Sequence, residues 1–316
     1  MKYFKACPLC GSKEFSKLFD IKDYNYKLPG RFEEYKCIDC SLIFLNPYLE
    51  GHELRFYYQK YYYSYQDVPK TKSLLEKLLY LNLINIWNLI WDRMNKGNAW
   101  GRYLSKNCQG RLLDIGCGSA GYLKHMRKLN PEMELYGCDP YGPQNNSSLE
   151  GLNLIYKNLS VFECGFANNF FDIVTINHVI EHIPNPKDLL SEMSRILKPD
   201  GYLIIGVPNN RSLSYFLFGK YWHGLDAPRH ILNYSDKNLT NVLIHSGFCI
   251  NSVRFIGNSS SFLNSLLFKL FKTKNSTGLW SKIWFPDLIL ASMNPLVWIL
   301  NKIRLSNCIE VYANKE

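Results

Sequence analysis

The sequence predicts an α/β fold, a doubly wound and mostly parallel sheet, and three observations carry that prediction. A short apolar segment, residues 111–115, runs into a glycine-rich turn, Gly116-Cys-Gly118-Ser-Ala-Gly121, and then into a helical segment. Strand-like and helical segments then alternate as far as about Gly257, as a parallel sheet covered by helices requires. The chain of 316 residues is long enough for one such domain with appendages, and 47% hydrophobic residues exclude wholesale disorder.

The elements follow in chain order from the same pattern. Strands are predicted at residues 111–115, 134–138, 171–177, 202–207, 249–256 and near 308–313, and helices at residues 73–94, 122–129 and 186–197. The first helix has apolar residues at helical spacing and is predicted to pack on the sheet. Asp139 ends the second strand, so the segment reads as a nucleotide-binding βαβ unit. Its glycines let the backbone approach a ligand, and its acid accepts hydrogen bonds from ribose hydroxyls.

Two Cys-x-x-Cys pairs near the N-terminus indicate a metal site. Cys7 and Cys10 form the first pair, and Cys37 and Cys40 form the second. Two such pairs can close a tetrahedral four-thiolate zinc site with no open position. A segment of about 40 residues buries too little core to fold alone, so the ion would supply stability. We expect loss of the ion to unfold this segment and to spare nucleotide binding, which depends on residues beyond 110.

The net charge of +10 is unevenly distributed along the chain. Residues 51–110 and 258–308 each carry +5, residues 111–257 are neutral, and residues 1–50 carry only +1. This distribution argues against a chain coated for nucleic acid. Paired and scattered cysteines, with no apolar leader of signal-peptide length, predict a reducing cytoplasmic compartment.

A glycine turn alone would also suit an NAD-dependent oxidoreductase, but Asp114 argues against one. It lies two residues before Gly116, where a dinucleotide-binding strand is normally apolar. A carboxylate there can bind a cationic amino group. S-adenosylmethionine carries such a group and NAD has none near its pyrophosphate.

Four motifs in order resemble those of class I S-adenosylmethionine-dependent methyltransferases, which share a Rossmann-like seven-stranded sheet. They are Leu112–Gly121 (LLDIGCGSAG), Asp139, Phe171–Pro186 (FDIVTINHVIEHIPNP) and Leu197–Asn209 (LKPDGYLIIGVPN). The cysteine pairs, followed by residues 44–47 (FLNP) and 56–58 (FYY), resemble the zinc-binding domain fused to some of these enzymes, including sugar C-methyltransferases. Residues 222–230 (WHGLDAPRH) are similar to a segment of the same branch.

The resemblance assigns roles to individual residues. It implies that Asp114, Gly116 and Gly118 hold the methionine part of the cofactor and that Asp139 binds its ribose. Asn158 and Leu159 would flank the adenine, where the family often has an acid instead. Asn177 and His178 would lie under the sulfonium.

Methyl transfer to oxygen or carbon also requires a proton acceptor, and histidine is the side chain best matched to neutral pH. His178, His182, His223 and His230 are candidates. We take His178 and His230 as the catalytic candidates and expect His182 to pack structurally.

The segment 258–307 is predicted as an insertion before the last strand. It combines its positive charge with an apolar stripe at Leu263, Leu266, Leu267 and Leu270, and it holds three of the seven tryptophans. Such a segment can cover the acceptor or contact an anionic membrane surface peripherally, and Lys269, Lys272 and Lys274 are the cations for that contact. Simple packing or a subunit contact is the alternative.

These observations predict a zinc-binding module at residues 1–50, linker helices at 51–100 and a methyltransferase domain at 101–316. The predicted activity is methyl transfer from S-adenosylmethionine to a small molecule or glycoconjugate, such as a sugar of a polysaccharide or lipid-linked pathway. The alternatives are an RNA methyltransferase with a zinc reader, an NAD-dependent oxidoreductase and a non-catalytic scaffold. The near-neutral module disfavours RNA as a partner, because a reader carries a basic face with stacking aromatics.

Overall fold

The structure is a computed structural model that describes residues 1–58, 108–142, 154–271, 290 and 292–316. Its strands are β1 Phe15–Ile21, β2 Phe32–Cys37, β3 Ile43–Leu45, β4 Arg111–Ile115, β5 Glu134–Cys138, β6 Leu154–Lys157, β7 Phe171–Asn177, β8 Leu197–Pro208, β9 Leu232–Asn233, β10 Phe248–Ile256 and β11 Cys308–Lys315. Its helices are α1 Gly51–Arg55, α2 Gly121–Leu129, α3 Pro186–Ile196, α4 Leu213–Phe218, α5 Asp236–His245, α6 Ser259–Phe271 and α7 Asn294–Lys302. The predicted linker helix at 73–94 lies outside the described residues.

The larger sheet has seven strands in the order β10-β11-β8-β7-β4-β5-β6. The five adjacent strands β8, β7, β4, β5 and β6 run parallel to one another. The strand β11 runs antiparallel between β8 and β10. Their central residues, such as Leu113, Val174 and Ile205, are fully buried, as expected for a parallel sheet covered on both faces. The predicted fold class, a mostly parallel seven-stranded α/β sheet, is confirmed.

A smaller antiparallel sheet joins the N-terminal segment to the rest of the chain. Its order is β1-β2-β3-β9, so the last of three N-terminal strands pairs with a strand that follows β8 by more than twenty residues. Ile43 pairs with Asn233 and Phe44 with Leu232. The N-terminal segment therefore completes its sheet with a strand from beyond residue 230, which the expectation of an independent module did not include.

The helix α6 begins the predicted insertion and uses the predicted stripe only in part as its packing face, because Leu267 is buried, Leu263 and Leu266 are half-buried and Leu270 is exposed. Ser261, Ser265, Leu267 and Phe268 are buried, whereas Leu270 is 63% exposed. The Ser265 hydroxyl donates a hydrogen bond to the Ser261 carbonyl and accepts one from the His223 N–H, so the buried hydroxyl is satisfied.

Lys269 donates to the Leu217 carbonyl, whereas Lys272 and Lys274 lie outside the described residues. In the part of the chain that the structure describes, no helix has the length and apolar character needed to cross a membrane.

Candidate functional site

A cavity lies at the carboxyl ends of β4, β5 and β7. The strand order reverses between β4 and β7, and open α/β sheets bind their ligands at such a switch point. Residues that follow the three strands line the cavity, among them Gly116 after β4, Asp139 after β5 and His178 after β7. The topology therefore brings together three residues that the sequence singled out.

The turn after β4 depends on glycine at its first position. Gly116 has φ +69°, and an added Cβ would lie 2.3 Å from Cγ2 of Val179. A side chain here would be strained by the backbone and would collide with Val179, which also lines the cavity. Glycine is therefore required where the turn packs against the segment after β7.

The carboxylate of Asp139 is held by the glycine turn. Its Oδ2 accepts a hydrogen bond from the Gly118 N–H at 3.0 Å, and its Oδ1 accepts one from the Tyr141 N–H at 2.8 Å. Burial raises the pKa of Asp139, and these hydrogen bonds oppose that rise. Each oxygen retains accepting capacity, so a ribose diol could bind to a carboxylate that is already oriented.

Asp114 lies deeper, inside the end of β4, and is 4% exposed. Its Oδ1 accepts a hydrogen bond from the Thr175 hydroxyl at 2.8 Å. Burial raises the pKa of Asp114 to about 7, against the effect of that hydrogen bond. A cationic ligand group would restore the charged form of this carboxylate.

His178 stands at the carboxyl end of β7 in a left-handed backbone conformation, with φ 54°. This conformation is costly for a residue with a Cβ, and such strain is typical of functional sites. Its Nδ1 lies 3.2 Å from Oε1 of Glu181, which is fully buried. Burial lowers the pKa of His178, but hydrogen bonds with Cys308 and Glu181 outweigh it and hold the pKa well above its usual value.

Glu181, His182 and His230 form a second cluster beside the cavity. Their ligand atoms all lie within 4.8 Å of one another. The two imidazole rings pack edge to face, with 4.7 Å between their centroids. His182 lines the cavity, and its Nδ1 lies 3.0 Å from the Tyr58 hydroxyl. His230 is 4% exposed, and burial lowers its pKa to about 4.

The other predicted site residues are not among those that line the cavity; they are Asp114, Gly118, Asn158, Leu159, Asn177 and His230. His230 is separated from solvent and lies behind His182. Near the end of β6, the cavity is lined by Ser160, Val161 and Phe162, whereas the predicted adenine neighbours are one or two residues earlier. Those neighbours are Asn158 and Leu159, and Leu159 is 40% exposed. The Asn177 side chain points towards Gly206 of β8, since its Oδ1 lies 2.5 Å from the position of an added Cβ there.

Two tyrosines that the sequence did not assign to the site line the cavity. The rings of Tyr58 and Tyr141 are stacked at 5.0 Å and only 7° from parallel. Tyr58 follows α1 and was noted only as part of the FYY segment, and Tyr141 follows Asp139 by two residues. Position near the aspartate is the one sequence signal that could have indicated Tyr141.

The four N-terminal cysteines converge. Sγ of Cys7 lies 3.5 Å from that of Cys40, and Cys10 and Cys37 show the same separation. All four sulfurs lie within 4.8 Å of one another. Sulfurs on a tetrahedral zinc ion would be ~3.8 Å apart, given Zn–S bonds of about 2.3 Å. The donor set and its spacing therefore fit one zinc ion.

The two cysteine turns have the same backbone construction. The Gly11 N–H donates to the Cys7 carbonyl, and the Ser41 N–H donates to the Cys37 carbonyl. Both Gly11 and Ser41 have positive φ. Each turn thus directs its two sulfurs to one side, as a zinc-binding knuckle requires.

A buried ion network connects the N-terminal segment to the loop that carries His230. The Arg229 guanidinium donates to both oxygens of Asp23 and both oxygens of Asp226. It also donates to the Tyr57 carbonyl, next to Tyr58. Arg229 and Asp23 have fully buried side chains. The position of Tyr58 at the cavity is therefore tied to this network.

Comparison with known proteins identifies the middle of the chain. A family profile described as "Methyltransferase domain" matches residues 95–253, half of the chain. An uncharacterized methyltransferase of Schizosaccharomyces pombe is 30% identical over 114 residues, which cover 32% of this chain and 40% of the relative. A ubiquinone biosynthesis O-methyltransferase of Cereibacter sphaeroides is 31% identical over 120 residues, covering 35% and 47%. The chain spans less than half the length of these two relatives.

Among solved structures, an S-adenosylmethionine-dependent methyltransferase from Archaeoglobus fulgidus is 22% identical. The match covers 77% of this chain and 98% of that one, with a TM-score of 0.45.

Proposed function

The chain belongs to the methyltransferase-domain family, and from that premise we propose that it transfers the methyl group of S-adenosylmethionine to a small-molecule or glycoconjugate acceptor. The observation that supports this most directly is the pair of acids at the strand ends. Asp139 is oriented by the glycine turn to receive a ribose, and Asp114 is buried where a cationic ligand group would stabilise its charge. Family membership disfavours the NAD-dependent alternative.

The residues at the switch point bind different parts of the cofactor. Gly116 and Gly118 provide the close backbone approach, Asp114 holds the amino group and Asp139 holds the ribose. Bound S-adenosylmethionine supplies a methyl carbon already activated by its sulfonium. The chain then contributes alignment and exclusion of water, and Tyr58 and Tyr141 line the cavity where that exclusion is needed.

We assign proton removal from the acceptor to His178, because it lines the cavity and is oriented by Glu181. Its raised pKa keeps most of the imidazole protonated at neutral pH, so only the neutral fraction can accept a proton, and we expect the transfer rate to rise as the pH is raised towards that pKa. His230, our second catalytic candidate, is too deeply buried to meet the acceptor directly, so we give it a supporting role. Asn158, Leu159 and Asn177 stay predictions as cofactor contacts.

Transfer of a labelled methyl group identifies the class of acceptor. Purified protein is incubated with S-adenosylmethionine carrying a labelled methyl group and with fractionated cell extract. We expect label in polysaccharide, lipid-linked sugar or soluble metabolites. Label confined to RNA would instead support the RNA methyltransferase alternative, and no transfer to any fraction would contradict the proposed activity.

Replacing Asp139 tests the cofactor assignment. We expect Asp139→Ala to weaken S-adenosylmethionine binding by about 1–3 kcal/mol, because charge-assisted hydrogen bonds to the ribose are lost. Calorimetry on the purified protein measures this change, and wild-type protein should show no binding of NAD. Asp172→Ala is the matched control, since Asp172 pairs with Lys198 at the opposite end of β7. Equal affinity in wild type and Asp139→Ala would remove the assignment.

We propose that Cys7, Cys10, Cys37 and Cys40 bind one structural zinc ion. The ion would supply stability that the small N-terminal sheet lacks. The Tyr57 carbonyl accepts a hydrogen bond from Arg229, and Tyr58 contacts His182 at the cavity. We therefore expect loss of zinc to weaken cofactor binding as well, unlike the expectation from the sequence alone.

Chelation or Cys10→Ser should therefore lower zinc content by about one ion per chain and also weaken S-adenosylmethionine binding. Elemental analysis and calorimetry on the same samples measure both effects. Cys249→Ser is the control, because Cys249 is exposed on β10. Zinc content that is unchanged in Cys10→Ser would contradict the site.

Cytoplasmic location and peripheral membrane contact through residues 258–307 stay predictions. Two of the three lysines invoked for the contact lie outside the described residues, and Lys269 is engaged with the Leu217 carbonyl.

A further inference from the structure

We infer that Glu181, His182 and His230 form a second metal site, which takes a divalent transition-metal ion such as Zn²⁺. The three side chains come from two segments of chain that the fold brings together, the short helical turn Ile180–His182 and the loop before β9. Their ligand atoms already lie within 4.8 Å of one another. Two imidazoles and one carboxylate form a donor set that zinc uses when it keeps a position open.

Two atoms of this cluster lack a hydrogen-bond partner among the residues that the structure describes. They are Oε2 of Glu181 and Nε2 of His230, and both side chains are at least 95% buried. Buried polar atoms almost always have a hydrogen-bond partner. Two neighbouring buried atoms without one therefore indicate that a ligand shared by both is missing. A cation would satisfy both atoms, since each presents a lone pair.

Backbone carbonyls determine which nitrogen of each histidine carries the proton. Nδ1 of His230 lies 2.7 Å from the Gly224 carbonyl oxygen, and Nδ1 of His182 lies 2.8 Å from the Arg229 carbonyl oxygen. A carbonyl can only accept, so both Nδ1 atoms are donors and both Nε2 atoms carry lone pairs. Metal-binding histidines are typically oriented in this way, with the second nitrogen donating to a backbone carbonyl.

The surrounding charges favour a cation. Arg229 is already balanced by two carboxylates, Asp23 and Asp226, and an oxygen of Asp226 lies 3.9 Å from Nε2 of His230. Glu181 adds a further buried carboxylate, whose Oε1 lies 3.2 Å from Nδ1 of His178 and whose Oε2 has no hydrogen-bond partner among the described residues. An ion on this cluster would lie at the wall of the cavity, because His182 forms part of that wall.

This site is separate from the four-cysteine site, and metal content distinguishes the two. Purified full-length chain is saturated with Zn²⁺, dialysed against metal-free buffer and analysed for zinc. We expect Glu181→Gln and His230→Gln each to hold about one ion per chain fewer than wild type. The control is His245→Gln, because His245 lies on α5 and its Nδ1 donates to the Asn241 carbonyl of its own helix.

Cobalt titration of the wild-type chain gives a second measurement that needs no variant. Co²⁺ on the cysteines produces thiolate charge-transfer absorption in the near ultraviolet. A second equivalent on Glu181, His182 and His230 should add visible d–d bands without further charge-transfer absorption.

Equal zinc content in wild type and both variants, or a titration that ends with the thiolate bands, would overturn the site and leave a buried water as the missing partner. These measurements use neither acceptor nor S-adenosylmethionine, so they stand apart from the proposed methyl transfer.

Discussion

Replacing Arg229 with alanine is expected to destabilise the protein by about 3–5 kcal/mol, because the two carboxylates that it neutralises would be left buried without a partner. Arg229 and Asp23 have fully buried side chains, and Asp226 is nearly so. Solvent cannot replace the lost guanidinium at this depth. Urea unfolding followed by tryptophan fluorescence measures the change, with zinc present throughout.

Arg195→Ala is the matched control for this prediction. Arg195 also pairs with a carboxylate, Glu192, but its side chain is 38% exposed. Ion pairs at the surface contribute about 0–1 kcal/mol, so the control should unfold close to wild type. If the two variants unfold within about 1 kcal/mol of each other, the buried network does not stabilise the fold as we argue.

Removing all three charges of this network together should restore much of the stability that Arg229→Ala loses. Arg229→Met combined with Asp23→Asn and Asp226→Asn leaves no uncompensated charge, so we expect much of the loss to be recovered. Recovery of stability without recovery of cofactor affinity would show that the network also positions Tyr58.

The sheet could be predicted from the sequence because local pattern determines its strands. Apolar runs such as residues 111–115 and 171–177 are too short for buried helices and are bounded by glycine, asparagine or aspartate, so they read as buried strands. The ends of the predicted strands were then correct to within a residue or two, except that β8 begins at Leu197, before the predicted 202. The added residues pair through a register shift, because Phe171 pairs with Leu197 and Ile173 with Tyr202, so Lys198–Gly201 bulges between the two pairs. The edge strand β6, Leu154–Lys157, was not among the predicted strands.

Contacts between distant segments could not be predicted in the same way. Asp23 and Arg229 are 206 residues apart, and neither has a local pattern that indicates the other. The strand β9 has only two residues, Leu232 and Asn233, too few for any periodicity to reveal that it completes the N-terminal sheet. Tyr58 reaches His182 for the same reason, because the position of the N-terminal segment is set by tertiary pairing.

The candidate site was predictable where a strand end carries the chemistry. Asp139 and His178 follow β5 and β7 directly, and parallel strands place their carboxyl ends at one edge. His182 was expected to pack structurally, whereas it lines the cavity. Its place depends on the turn Ile180–His182, which no pattern in the surrounding sequence marks.

Replacing His178 with alanine is expected to reduce kcat for methyl transfer by about 10²- to 10⁴-fold, the usual contribution of a positioned proton acceptor. His178 is the histidine that both lines the cavity and is held by a buried carboxylate. Affinity for S-adenosylmethionine should change little, because Asp114 and Asp139 hold the cofactor. The measurement is single-turnover transfer to the acceptor fraction that takes up label, with calorimetry of cofactor binding on the same protein.

His125→Ala serves as the control, since His125 lies on the exposed face of α2 and should leave the rate unchanged. His178→Asn keeps a polar group of similar size that can still bond to Glu181, but an amide has no basic nitrogen to accept the proton. It should therefore be as slow as the alanine variant if proton removal is the role of His178. A rate restored by asparagine would mean that His178 only positions the turn after β7, and proton removal would then belong to another residue or to the acceptor itself.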